Sequence, residues 1–102
     1  MNPTARTLSG ESVVVAATEQ IASDLAGQEI ILNLKSGVYY GLNSVGTRIW
    51  NLLQQPRSVR EIRDALVARY DVDRERAEND LIALLQKLID AGLVQVKNKS
   101  SS

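Results

Sequence analysis

The chain of 102 residues balances 12 Lys and Arg against 12 Asp and Glu, and it contains no His, Cys or Phe. That length supports one small domain with a modest core. Without His or Cys there can be no zinc site, thiolate nucleophile, Ser–His pair or disulfide framework, and zero net charge lacks the basic excess typical of nucleic-acid binders.

In chain order, MNPTARTLSGES has no apolar segment, and no continuous apolar run is longer than Val13 to Ala17. Neither a secretory signal nor a spanning helix of roughly 20 residues is expected, so the cytoplasm is the expected compartment. Ser12 to Thr18 carries Val13-Val14-Val15, a β-branched run that predicts a first strand. Ile30, Leu32 and Leu34 then recur at period two, and Lys35-Ser36-Gly37 reads as a three-residue hairpin connection with glycine at the positive-φ position. Val38, Tyr40 and Leu42 resume the alternation. The expectation is a hairpin with the first strand added to it, a three-stranded antiparallel N-terminal sheet.

Helices follow from Asn43 onward. Asn43 or Ser44 can cap a first helix whose stripe is Val45, Ile49, Leu52 and Leu53, with Trp50 as core, and Gln55-Pro56 ends it. Ser58-Val59-Arg60-Glu61 matches the capping box of a second helix that buries Ile62 and Leu66 with Val59 and Tyr70. Asp73 caps a third, with Glu75 in its first turn, and Ala77, Leu81, Leu84, Leu85 and Leu88 recur at helical spacing before Gly92. Leu93 to Val96 can add a short strand, and Lys97 to Ser102 reads as a flexible tail beyond a core of about residues 12–96. Strands segregated from helices define an α+β domain.

Few side-chain constellations carry chemistry. Asp71, Asp73, Glu75, Glu78 and Asp80 cluster without the glycine turn of a calcium loop, so they read as a solvated helix start. Arginines at 57, 60, 63, 69, 74 and 76 are interleaved with carboxylates, which opposes a phosphate-facing recognition helix. No glycine pattern forms a phosphate cradle. The remaining candidate is the strand Val38 to Leu42, free of charges and prolines, which is either covered by a neighbour or open to strand addition.

The stretch Gly37 to Leu53, GVYYGLNSVGTRIWNLL, resembles the PqqD-like family of recognition elements for ribosomally made, post-translationally modified peptides. Ser58 to Ile62, Tyr70-Asp71-Val72, Asp80 and Leu88 to Val94 continue the pattern in order, so the likeness spans about Ser12 to Val96. Tyr39 to Asn43 looks most like the stand-alone leader-binding proteins of lasso-peptide clusters. Gln54-Gln55-Pro56-Arg57 departs from it where relatives often carry glycine.

The resemblance implies a winged-helix-like fold whose third strand and third helix line a groove. In that groove a precursor's leader lies as an added strand. It implies a non-enzymatic adaptor without cofactor or metal, serving a separate cysteine protease. The expected leader-binding residues are Val38, Tyr39, Tyr40, Gly41 and Leu42 on the edge and Leu81, Leu84, Leu85 and Leu88 as apolar wall, with Asp80 and Lys87 for polar leader groups. Neither nucleic acid nor membrane is an expected partner; the protein is expected to be a monomer or a weak homodimer through the strand edge. A DNA-binding winged helix and a self-pairing dimerisation module are the competing expectations.

Overall fold

The computed structural model describes residues 8–25 and 28–97; residues 98–102 of the expected tail lie outside the described residues. The elements are β1 (Val13–Ala16), β2 (Gln20–Leu25), β3 (Gln28–Asn33), β4 (Tyr39–Leu42), α1 (Ser44–Leu52), β5 (Arg57–Ser58), α2 (Val59–Arg69), α3 (Arg74–Asp90) and β6 (Val94–Lys97). They form an α+β fold with two antiparallel three-stranded sheets, ordered β2-β3-β4 and β5-β1-β6.

Strand membership differs from the expectation. The Val13 strand does not join the hairpin; it pairs with β6, from Val13↔Lys97 to Ala16↔Val94, and with β5. Lys97 is thus a strand residue and not part of a tail. The hairpin's third strand is β2, whose QIASDL carries no clean apolar alternation. Its described side chains at 21–24 are all exposed, so β2 is held by the backbone ladder to β3 rather than by burial.

The hairpin turn also begins one residue earlier than expected. Asn33 Oδ1 accepts from the backbone N–H groups of Lys35 at 2.8 Å and Ser36 at 3.1 Å, an Asx-turn that draws Leu34 into the loop. The Gly37 N–H reaches Asn33 C=O at 2.9 Å, and Gly37 takes φ +79°. A one-residue change of register exchanges the faces of a strand. Ile31 and Asn33 therefore point inward, Ile30 and Leu32 outward, and Leu34 is exposed in the turn. The phase of β4 is as expected, with Leu42 buried and Tyr40 half-buried.

The helices carry the expected caps. Asn43 Oδ1 accepts from the Gly46 N–H at 2.9 Å, and Asp73 Oδ2 from the Arg76 N–H at 3.1 Å. Ser58 and Glu61 exchange reciprocal bonds of 3.1 and 2.9 Å. α3 ends at Asp90, and Gly92, just past the cap residue Ala91, takes φ +76°. The core gathers Val14, Ile31, Trp50, Leu53, Ile62, Leu85 and Leu93 from both sheets and all three helices. Arg63 braces α2 against α3 through Glu78 at 2.7 Å and also holds Asp64; these carboxylates, Asp64 foremost, raise its pKa above the ordinary guanidinium value.

Candidate functional site

Among the described residues β4 is an edge strand, and the ladder parity determines which of its backbone groups have no strand partner. The Asn33 N–H donates to Val38 C=O at 2.8 Å, and Ile31↔Tyr40 and Glu29↔Leu42 follow at steps of two. Alternate residues of an antiparallel strand bond to opposite neighbours. Residues 38, 40 and 42 therefore face β3, and Tyr39 and Gly41 aim their N–H and C=O groups away from it, at the open edge. On the other side of β3, the Leu34 N–H donates to Glu19 C=O at 3.0 Å, which fixes the complementary parity towards β2.

Beside this edge a groove of about 460 Å³ runs between β4 and α3. Tyr40 and Leu42 form one wall, and Ala77, Leu81 and Leu84 the other; Val45, Ile49, Leu66 and Tyr70 form the apolar base. Arg76 and Asp80 are its charged residues, an exposed i,i+4 pair 3.9 Å apart that contributes little to stability and stays open to other charges.

Of the expected residues, Tyr40, Gly41, Leu42, Asp80, Leu81 and Leu84 line the groove together. Tyr39 belongs to the same strand but is 72% exposed, its side chain turned to the opposite face from Tyr40 and Leu42. Val38 precedes the strand, and its N–H donates to Ser36 Oγ at 3.2 Å, so it offers no edge donor. Leu85 and Leu88 are fully buried core and lie outside the groove. Lys87 is exposed and also outside it; it shares the helix face of Asp80 and Leu84 but stands nearly one turn beyond Leu84, past the end of the groove.

Several groove residues were read from sequence only as core or passed over: Val45, Gly46 and Ile49 on α1, and Leu66, Tyr70, Val72 and Ala77 around α2 and α3. Their signal was Gly46, a small residue in a first turn, together with Tyr70 and Val72, apolar residues at a helix end.

The outward face of β2-β3-β4 has its own character. Ile21, Leu32 and Tyr39 stand in one cross-strand row. Ile30 extends it over Gly41, where a Cβ would meet Ile30 Cδ1 at 3.4 Å. Outward faces of antiparallel sheets are ordinarily polar, and an apolar row across all three strands sets this face apart.

Among the described residues no group of three or more His, Cys, Asp or Glu could hold a metal ion, and no helix is long and apolar enough to cross a membrane.

The family model described as coenzyme PQQ synthesis protein D (PqqD) matches residues 28–94. The chain belongs to the PqqD family. A solved structure of TbiB1 in complex with the TbiA(beta) leader peptide is similar at 33% identity and TM-score 0.74, covering 83% of this chain and 99% of that one. A lasso peptide synthetase B1 complexed with its leader peptide is similar at 26% identity and TM-score 0.71, covering 80% of this chain and 96% of that one. The PqqD portion of Methylobacterium extorquens PqqCD is a stand-alone recognition element for ribosomally synthesised and post-translationally modified peptides. It shares the fold at 17% identity and TM-score 0.74, covering 90% of this chain and 98% of that one. No curated protein matches the sequence.

Proposed function

We propose that the protein binds the leader segment of a ribosomally synthesised precursor peptide by strand addition at β4 and delivers it to a leader protease of the lasso-peptide type. One observation carries this: the free backbone groups of Tyr39 and Gly41 lie directly beside the apolar groove. A strand added there pairs with those groups, and its intervening residues, opposite Tyr40 and Leu42, drop their side chains between Tyr40, Ile49, Leu81 and Leu84. Backbone bonds supply general affinity, and the groove selects which apolar side chains fit. The two relatives whose structures contain leader peptides support the same assignment.

Delivery uses the other face. The added strand extends the β2-β3-β4 sheet, so its remaining side chains continue the row Ile21–Leu32–Tyr39. The processing enzyme rests on that composite apolar face and takes the peptide from it. The protein itself then needs no nucleophile, cofactor or metal; its partner's cysteine performs the cleavage, in the cytoplasm.

Fluorescence anisotropy with a labelled leader of its cognate precursor tests the proposal. Saturable binding at micromolar concentration that is lost in Leu84→Asp is expected. Absence of saturable binding at tens of micromolar overturns it.

A further inference from the structure

Among the described residues Asn33 is the one buried polar residue, at 8% exposure beside an otherwise apolar core. Its amide uses its full bonding capacity. Oδ1 accepts from the Lys35 and Ser36 N–H groups, and Nδ2 donates to Ala91 C=O at 3.1 Å and Gly92 C=O at 3.0 Å. The first pair shapes the β3–β4 turn and the second pair grips the end of α3. Among the described residues these are the only hydrogen bonds between the hairpin and the end of α3.

Gly92 is matched to this arrangement. It takes φ +76°, and a Cβ there would stand 2.6 Å from Asn33 Nδ2. β4 is consequently fixed at both ends: at the turn by the Asn33 clamp on α3, and at its exit by the Asn43 cap on Gly46 of α1. The groove lies between these anchors, and neither Asn33 nor Gly92 lines it.

We infer that Asn33 is a positioning residue that sets the gap between β4 and α3 and so holds the groove ready for a peptide strand. The inference rests on leader binding at this groove. A slot whose walls are already spaced spares the bound state an ordering cost, which appears as affinity. Asn33→Asp keeps the acceptor side that builds the turn and removes both donors to α3, so it separates the clamp from the hairpin.

The test uses the absence of cysteine. Tyr39→Cys on the outward face of β4 with Asp80→Cys on α3, both spin-labelled, reports the spacing of β4 and α3 by double electron–electron resonance without any peptide. A narrow distance distribution is expected for this pair, and a broader one displaced to longer distance when Asn33→Asp or Gly92→Ala is added. In the unlabelled protein, Asn33→Asp is expected to weaken binding of the labelled leader about tenfold, with the helical circular-dichroism signal retained. An unchanged distance distribution in folded Asn33→Asp overturns the inference. So does failure of both variants to fold, since Asn33 is then a folding determinant only. If the unsubstituted protein binds no leader, it is the proposed function that fails, and the distance measurement still decides the clamp.

Discussion

Gly46 stands so close to Leu42 that a Cβ at position 46 would lie 3.1 Å from Leu42 Cδ2 and 3.3 Å from Leu42 Cβ. This contact seats the first turn of α1 on the end of β4 and gives the groove its base. Leu42 is 2% exposed and has little room to yield. Gly46→Ala gains helix propensity but overpacks this contact, and the second effect is larger. A net loss of about 1 kcal/mol is expected, read as a melting temperature lower by roughly 4–8 °C. Leader affinity should fall as well, because Val45 and Ile49 move with the helix.

The edge geometry separates two kinds of proline substitution. Gly41→Pro removes an N–H that faces the open edge and spares the β3 ladder, which uses Tyr40 and Leu42. Leader binding is expected to weaken roughly fivefold to tenfold, with melting little changed. Tyr40→Pro removes a ladder donor instead, and unfolding should show it at once.

Ser58→Ala provides a contrast remote from the groove. It deletes the hydroxyl that accepts from the Glu61 N–H and exposes the start of α2 to fraying. Stability is expected to drop by about 1 kcal/mol in denaturant titration, and the leader affinity of the folded protein to stay unchanged.

The outward apolar row should matter for processing and not for leader binding. Ile21 is 51% exposed, so Ile21→Lys is expected to alter stability by no more than about 0.5 kcal/mol. Anisotropy should report normal leader affinity, and cleavage by the partner protease should slow because a charge now interrupts the surface it rests on. Slowed cleavage together with weakened leader binding would mean that the two faces are not separate.

Much of this protein is legible in its sequence where one local interaction decides the outcome. The caps at Asn43, Ser58 and Asp73 and the left-handed Gly92 follow from side-chain chemistry within a few residues. The edge strand and the two facing sides of the groove follow from the alternation at Tyr40 and Leu42 and from the helical stripe at Leu81 and Leu84. Sheet membership did not, because Val13 to Ala16 pairs with residues more than 75 positions away in β6, and no local pattern encodes that choice. The inward face of β3 was misread for a different reason. Ile30-Ile31-Leu32 is apolar on both faces, and the Asn33 side chain moves the turn by one residue. The division of α3 between Leu84 in the groove and Leu85 and Leu88 in the core depends on how the helix is rotated against β4 and the core, which helical periodicity alone does not contain.

Amide hydrogen exchange followed residue by residue, with and without the leader peptide, addresses strand addition at β4 most directly. The N–H groups of Tyr39 and Gly41 face the open edge in the free protein, and those of Tyr40 and Leu42 already face β3. Leader binding should slow exchange at Tyr39 and Gly41 strongly and leave Tyr40 and Leu42 little changed. Saturable leader binding with no added protection at Tyr39 and Gly41 would contradict strand addition on this edge.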